Sequence, residues 1–414
     1  MTTDIPKIQR LMLVAQAFTP SGPIDDLTLF AGRIEQIQEV ASAIMQRGQH
    51  VALFGQRGVG KTSLASVLAE LFNAPDLPER RRVLATCNTE STYEGIWLDI
   101  YRTLGIHSDE PITPENVRYE IARLDPQAII VIDELDRLAD DDALSLIADT
   151  IKSFSDHLVV STIVLVGVAH SLIDLIGEHQ SIVRNLAQIE MPRMSRAELT
   201  EILEKGCKRS RLRIRPEAME RIVSLSEGLP HYTHLLAFHA GTTVVQNDRH
   251  EITLSDVKAS VPLAVSKHTI RDAYMRAVQS ARRANLYPDV LLACALAPKN
   301  PLGFFTAGAI RHPLHAVAGR PLDIPAFSRH LRNFLKPERG SVLQREGEER
   351  NYFYRFVDPI LQQFVVLNGL SEQRISDEQL VALTRSAEDA PTPGDHEPIS
   401  PQRLFELPRD APQA

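Results

Sequence analysis

Eight consecutive residues, placed between a short apolar run and a helical pattern, have the types and spacing needed to hold a chain of phosphates. Glycines at three of these positions let the backbone fold tightly, so that several main-chain N–H groups point at one anion. The lysine can neutralise the β- and γ-phosphates, and the hydroxyl after it can ligate Mg²⁺. This spacing satisfies the Walker A pattern and predicts a triphosphate site, whereas the alternative is a glycine-rich turn with a chance lysine. The predicted contact residues are Gly55, Gln56, Arg57, Gly58, Val59, Gly60, Lys61, Thr62 and Ser63.

Two adjacent carboxylates follow a strongly apolar segment. The run Ala128–Ile132 is rich in β-branched residues, as in a buried strand, and Asp133 and Glu134 come directly after it. Parallel strands deliver such residues to the sheet edge where ligands bind. We expect Asp133 to hold Mg²⁺ and Glu134 to polarise the attacking water, which would make the site hydrolytic. The alternative is a strand that ends in two solvated acids.

Three further residues carry weaker signals. Arg184 precedes a predicted strand at 189–191 and could reach the γ-phosphate bound by a neighbouring subunit, where it would stabilise transition-state charge. The alternative is a surface arginine paired with an acid. His170 and Ser171 follow the apolar run 158–166 and could sense the γ-phosphate, although Ser171 is equally typical of a helix cap.

Two short segments could contact the base of a bound nucleotide. Phe30–Arg33 precedes the first predicted helix, and Arg33 could line the adenine edge. Gly228–His231 opens a later helix, and Pro230 within it could close over the base. A plain turn is the alternative for each segment.

Strands and helices alternate through the first half of the chain. Strands that are apolar on both faces and alternate with helices predict a parallel sheet with helices on both faces, the α/β architecture of P-loop NTPases. Beyond residue 195, where Ser195 and Glu198 have capping-box spacing, the pattern becomes helical and predicts a small helical domain. Predicted strands are 51–54, 83–86, 128–132, 158–166 and 189–191, and predicted helices are 34–45, 62–72, 93–104, 114–124, 196–209, 216–226, 231–246 and 254–261.

A third region is typical of a winged helix. Helical patterns at 268–284, 288–297 and 325–336 precede two strands, 341–345 and 352–356, and a closing helix is predicted at 358–367. From residue 267 to 345 there are 13 Lys and Arg against four Asp and Glu, a local basic excess that favours double-stranded DNA as a partner. Alternatively, the region is a protein-interaction module whose arginines pair with acids. The predicted DNA contacts are Arg329, Arg332, Lys336 and Arg345.

These patterns divide the chain into five parts. We predict an irregular lead-in at 1–28, a P-loop α/β domain at 29–194, a helical lid at 195–266 and a winged-helix domain at 267–370. The remaining part, 371–414, has four basic against nine acidic residues and several prolines, and we predict that it is disordered.

Composition limits the class of protein. The chain has 414 residues, 43% of them hydrophobic, and a formal net charge of −8, so any nucleic-acid surface must be local. Its three cysteines are far apart, which indicates neither a disulfide framework nor a zinc site. Neither a signal peptide nor an apolar run of the ~20 residues that span a bilayer is evident, and we expect a cytoplasmic protein without membrane contact.

Taken in order, residues 28–370 resemble AAA+ type ATPases of the replication-initiator (origin-recognition) group and the related STAND-like bacterial ATPases. The resemblance implies ATP as the nucleotide and Mg²⁺ as its metal. It also implies that Lys61 and Glu134 are catalytic and that Arg184 acts between subunits, in a homo-oligomer or with a partner protein, when ATP is bound.

The chain departs from initiator ATPases at two positions. The small domain has no arginine where initiators carry one, and it has the Gly-x-Pro turn of STAND proteins instead, at 228–230. The strand that usually ends in a sensing asparagine ends here in 166–170, without one. These departures favour a slow switch. Two functional hypotheses follow: a nucleotide-controlled ATPase that acts on DNA, and a signalling or defence ATPase whose winged helix regulates the nucleotide domain without binding DNA.

Overall fold

The computed structural model describes residues 7–72, 79–168, 180–266, 270–281, 285–300, 303–348 and 351–388. The chain divides into two compact units, Met1–Val257 and Lys258–Ala414. Within the described residues, we find no helix that combines the length and the apolar character needed to cross a membrane.

A five-stranded parallel sheet forms the centre of the first unit. Its order is β2-β3-β4-β1-β5, and β3 and β4 are buried along their whole length, as their continuous apolar sequences predict. Because all strands run the same way, their carboxyl ends meet at one edge, where Thr86 pairs with Asp133. The strands are β1 (His50–Gly55), β2 (Arg81–Thr86), β3 (Ala128–Asp133), β4 (Thr162–Gly167) and β5 (Leu186–Met191).

A helix near the start of the described residues was not predicted from sequence. Residues Lys7–Ala17 form α1, so the expectation of an irregular lead-in at 1–28 is wrong for this stretch. Val14 and Phe18 are spaced one helical turn apart and are both buried, which anchors α1 and the residue after it. The breakers Pro20, Gly22 and Pro23 lie beyond the helix and end the regular structure there.

Helices cover both faces of the sheet, and most of them begin at a side-chain cap. The hydroxyls of Thr92 and Thr113 accept backbone N–H groups at the first turns of α4 and α5, and Asp140 does the same for α6. The sequence analysis predicted no helix at α6, whose first turn is acidic. The helices are α2 (Ile34–Met45), α3 (Lys61–Leu71), α4 (Tyr93–Leu104), α5 (Pro114–Ala122) and α6 (Asp141–Asp156).

A small group of helices completes the first unit. Ser195 and Glu198 form the predicted capping box at the start of α7, and a short parallel pair, β6 with β7, joins the loops. α1 packs on α7 and α9, so residues 7–17 belong to this group. Its elements are α7 (Arg196–Ser210), β6 (Arg213–Ile214), α8 (Pro216–Ser226), α9 (Pro230–Gln246), β7 (Glu251–Ile252) and α10 (Leu254–Ser266), which continues into the second unit.

The second unit has a three-stranded antiparallel sheet, β8-β10-β9, packed with helices. After a first helix, its order is helix, strand, two helices and a two-stranded hairpin, followed by two further helices. The side chains of Phe305, Phe327 and Phe334 are fully buried in it. β8 and α13 were not predicted. The elements are α11 (Arg271–Val278), α12 (Tyr287–Leu296), β8 (Phe305–Thr306), α13 (Arg311–Ala318), α14 (Ile324–Phe334), β9 (Leu343–Glu346), β10 (Phe353–Phe356), α15 (Pro359–Ser371) and α16 (Asp377–Glu388).

The helix α16 corrects the prediction of a disordered tail at 371–414. Leu380 and Leu383 are buried on one side of it, and the Ser376 hydroxyl accepts the Gln379 backbone N–H at its start. The cap and the buried leucines, three residues apart, favour a helix despite the acidic composition. Residues 389–414 lie outside the described part of the chain.

Candidate nucleotide-binding site

The loop between β1 and α3 has the backbone geometry of a phosphate cradle. Gly58 and Gly60 have φ angles of 83° and 99°, a region that side-chain-bearing residues rarely adopt. The first turn of α3 begins at Lys61, so the positive end of the helix dipole faces the same space as the loop N–H groups. Strand, loop and helix therefore follow one another as the sequence predicted.

The side chain of Lys61 is hydrogen-bonded to the loop that precedes it. Its Nζ donates to the carbonyl oxygens of Gly55 and Gln56, both at 2.9 Å. Burial lowers the pKa of Lys61 to about 8, and the carboxylates of Asp136 and Asp133 act in the opposite direction. An anion that entered the loop would raise this pKa again, because it would stabilise the charged form of the lysine.

Thr62 and Asp133 are joined across the sheet edge. The Thr62 Oγ1 donates to the Asp133 Oδ2 at 2.7 Å, and the backbone N–H of Glu134 donates to the Oδ1 at 2.7 Å. Burial raises the pKa of Asp133, and these two hydrogen bonds oppose that shift. The structure thus brings together the hydroxyl and the carboxylate that the sequence assigned to Mg²⁺.

Glu134 lies at the end of β3 in a left-handed backbone conformation, with φ 54°. Its Oε2 accepts from the Arg137 guanidinium at 2.8 Å, and both side chains are partly exposed. The residue lines the same cavity as Lys61 and Asp133. To polarise a water in that cavity, its carboxylate has to turn from Arg137.

The oxygen donors fit a magnesium ion. Mg²⁺ typically takes one or two protein oxygens and completes its shell with water and phosphate oxygens. Thr62 and Asp133 supply two such oxygens 2.7 Å apart. No group of three or more His, Cys, Asp or Glu side chains among the described residues is placed to hold a metal, so the described part of the chain offers Mg²⁺ no all-protein cage.

The loop opens into a cavity of about 500 Å³. This volume lies within the roughly 300–1,000 Å³ of typical ligand sites. One wall is the loop and the start of α3, and another is formed by residues 19–24 and 29–31 of the N-terminal segment. The small helical group supplies Ile202, Pro230 and His231. The predicted Gly228–His231 turn therefore contributes to the same cavity as the loop.

Arg33 is nearly fully buried and supports the loop. Its Nη2 donates to the carbonyl oxygens of Val59 and Pro192, both at 2.7 Å. Burial lowers its pKa, while the Glu198 carboxylate raises it. Arg33 also lines the cavity, and its contact with adenine stays a prediction.

The remaining predicted residues are less constrained. Arg184 lies in a 3-10 turn before β5, is exposed, and makes no ion pair with any described residue. It does not line the cavity, so a contact with a nucleotide bound to the same chain is not favoured. His170 and Ser171 lie outside the described residues.

The sequence analysis missed the N-terminal segment that lines the cavity. The backbone N–H of Ile24 donates to the Ser63 Oγ at 3.0 Å, which fixes the segment to the start of α3. The Thr19 N–H donates to the Nδ1 of His234, at 3.3 Å. Burial lowers the pKa of His234 to about 4, so this ring is neutral at pH 7. No local sequence signal connects residues 19–24 to positions so distant in the chain.

Arg193 was also missed. It lies between β5 and α7, and its guanidinium contacts both Gln56 in the loop and the carbonyl of Glu227 before the Gly228–His231 turn. No local sequence pattern indicates this role, because the contacts of Arg193 depend on how the sheet and the small helical group pack.

Solved structures share this fold. The Aeropyrum pernix ORC2 protein, in ADPNP–ADP complexes, is similar with a TM-score of 0.50 at 14% identity, covering 85% of this chain and 99% of that chain. A Walker-type ATPase of Pyrococcus abyssi is similar with a TM-score of 0.50 at 18% identity, covering 83% of this chain and 98% of that chain. At such identities the likeness shows the fold alone. No curated protein sequence matches the chain.

The fold and the loop chemistry define a P-loop ATPase with a small helical group beside its nucleotide cavity. A family model described as Novel STAND NTPase 1 matches residues 17–288, about two thirds of the chain. The chain therefore belongs to the Novel STAND NTPase 1 family, which confirms the resemblance to AAA+ and STAND ATPases.

Proposed function

We propose that this protein binds ATP with Mg²⁺ and hydrolyses it slowly, as a switch that acts on double-stranded DNA. One observation carries the proposal: the Thr62 hydroxyl and the Asp133 carboxylate are joined at 2.7 Å, and both residues line a nucleotide-sized cavity together with Lys61. The A. pernix protein of similar fold is named for complexes with ADPNP and ADP, which supports an adenine nucleotide here.

Each residue has a defined task in this proposal. The loop N–H groups and Lys61 hold the β- and γ-phosphates, and Lys61 leaves the carbonyls of Gly55 and Gln56 to do so. Thr62 and Asp133 would hold Mg²⁺, which supplies positive charge to the phosphate oxygens when it is bound. Glu134 accepts a proton from the attacking water after its carboxylate turns from Arg137.

Slow turnover follows from two features of the site. The ion pair of Glu134 with Arg137 competes with the water-polarising position of the carboxylate. The Gly228–His231 turn brings no arginine to the phosphates, so a trans contact from Arg184 would supply the missing transition-state charge. Such dependence on a second subunit suits a switch that hydrolyses ATP only after assembly.

The second unit supports DNA as the target. Its helix–strand–helix–helix–hairpin order is the one expected of a winged helix. Arg329, Arg332 and Lys336 are exposed on or just after α14 and make no ion pair with any described residue. Arg332 and Arg345 both lower the pKa of Tyr354, although burial raises it overall, so the α14 and hairpin arginines lie near one side chain. A shared basic face is the footprint of phosphate binding.

A second function is favoured by the family assignment. The Gly228–Pro230 turn resembles the Gly-x-Pro turn of STAND proteins. It lies within residues 17–288, which the family model matches. In this alternative the second unit regulates the nucleotide domain and binds no DNA, as in a signalling or defence ATPase. Measured DNA affinity separates the two candidates.

The ATPase proposal is tested with Glu134→Gln. We expect the variant to bind ATP as tightly as the wild type and to lose about 100-fold or more of kcat, because an amide cannot take the proton from water. Steady-state phosphate release and fluorescent-nucleotide binding measure the two quantities. The matched control is Glu115→Gln, an exposed residue in the first turn of α5, which should keep both. Unchanged turnover in Glu134→Gln would remove this residue from the chemistry.

A further inference from the structure

One partly buried guanidinium joins the phosphate loop to the turn that lines the other side of the cavity. The Nε of Arg193 donates to the Oε1 of Gln56 at 3.1 Å, and its Nη1 donates to the backbone oxygen of Glu227 at 2.8 Å. Gln56 is the second residue of the loop, and Glu227 directly precedes Gly228. The arginine therefore spans two elements that are 171 residues apart in the chain, and uses a different donor for each.

The packing around Arg193 leaves it little freedom. A Cβ added at Gly228, where φ is 76°, would lie 2.7 Å from the Arg193 Cβ, so only glycine allows this approach. The next backbone N–H, that of Met194, donates to the Gly228 carbonyl at 2.9 Å. Burial lowers the pKa of Arg193, and the Glu227 carboxylate opposes that shift. A desolvated guanidinium with two directed hydrogen bonds is a strong and specific link.

The turn meets the loop at a second point. A Cβ added at Gly60 would come within 4.0 Å of the Pro230 Cγ, so the proline lies against the far end of the loop. Gln56, which Arg193 holds through its side chain, also receives the Lys61 Nζ on its backbone oxygen at 2.9 Å. Gln56 therefore contacts both residues: its backbone oxygen accepts from Lys61, and its side chain accepts from Arg193. A bound triphosphate would replace the first of these contacts.

We propose that Arg193 is a positioning residue that couples the phosphate loop, through Gln56, to the Gly228–His231 turn and keeps this turn closed over a bound nucleotide. The inference rests on the proposed ATP function and deepens it by naming the link between loop and turn. When Lys61 moves from the Gln56 carbonyl to the phosphates, Gln56 is held by Arg193 alone. Its side-chain bond then resists opening of the turn. Lysine cannot replace the arginine, because one ammonium cannot reach both acceptors with separate donors.

The test is a double-mutant cycle on nucleotide release. Arg193→Ala, Gln56→Ala and the double variant are compared with the wild type by stopped-flow release of a fluorescent ATP analogue, together with kcat and KM for ATP. We expect Arg193→Ala to speed release about tenfold and to raise KM, with kcat changed less than threefold, since both charge-assisted hydrogen bonds of the link are lost. Gln56→Ala should add little to Arg193→Ala, because both remove the same contact.

The matched control is Arg196→Ala. Arg196 lies three residues further on and pairs with Glu220 at the exposed surface, so its removal should leave release unchanged. Arg193→Lys should behave like Arg193→Ala in release and serves as the measured variant if the alanine protein does not fold. Additive effects of Arg193→Ala and Gln56→Ala, or release as slow as in Arg196→Ala, would overturn the coupling. Failure of the wild type to bind ATP would instead overturn the proposed function.

Discussion

The nucleotide site of the first unit and the exposed arginines of the second unit differ in how their charges are held. In the first unit, Asp133 is buried, Lys61 and Arg193 are partly buried, and each of the three makes at least two hydrogen bonds within the protein. In the second unit, Arg329 and Arg332 are exposed and make no ion pair with the part of the chain that the structure describes. Buried charges are costly unless paired, whereas exposed ones are free to meet a flexible or variable partner.

This difference indicates two kinds of recognition. The nucleotide site is organised before its ligand arrives, so single changes there should alter one step in a specific way. The exposed arginines of the second unit would bind DNA through their combined charge. Substitutions there should weaken DNA binding in proportion to the charge removed, and the affinity should depend on salt concentration.

The largest effect is expected at the basic face. The double variant Arg329→Glu/Arg332→Glu should weaken binding to double-stranded DNA roughly 100-fold at low salt and reduce the slope of log affinity against log salt by about two. Fluorescence anisotropy at several salt concentrations measures both. Arg385→Glu, on α16 beside Asp377 and Glu378, is the control and should change affinity less than threefold. If the wild type has no salt-dependent affinity, the regulatory alternative replaces DNA binding.

An intermediate effect is expected from pH at the nucleotide site. Burial sets the pKa of Lys61 near 8, and ATP should bind the protonated form. Affinity should therefore stay constant between pH 7 and 8 and fall about tenfold per pH unit above 8, because a proton must then be taken up on binding. Equilibrium binding of a fluorescent ATP analogue measures this. Lys61→Arg keeps its charge and should not show the decline, and a flat wild-type profile up to pH 10 would contradict the assignment.

The sheet and its ligand edge were predictable because their signals are local. Mostly apolar segments predicted a strand at each of the five positions, and the Walker A spacing needs only neighbouring residues. The exception is instructive: the run 158–166 was predicted as one strand, but β4 begins at Thr162. Leu158, with φ 50°, and Val159, whose N–H donates to Phe154, close the end of α6 instead. One apolar run serves two elements, which periodicity alone does not separate.

The missed features depend on tertiary contacts. α1 is stabilised by α7 and α9, and Phe18 fills the space above Gly206, where a Cβ would come within 2.2 Å of its ring. Arg193 finds its partners only after the sheet and the small helical group have packed. Neither has a motif of its own. The site could therefore be predicted where phosphate chemistry demands a sequence pattern, and not where packing supplies the support.

The smallest effect should come from the exposed ion pair of Glu134 with Arg137 at the nucleotide site. Arg137→Ala releases the Glu134 carboxylate, and an exposed pair contributes at most ~1 kcal/mol, so kcat should rise no more than about fivefold. KM for ATP should not change, because neither residue holds the phosphates. The matched control is Arg102→Ala, which breaks an exposed pair of the same spacing with Asp99 and should leave kcat unchanged. A lower kcat in Arg137→Ala would mean that Arg137 supports the chemistry. The contrast would then be sharper, since even the exposed charge of this site would be organised for the reaction.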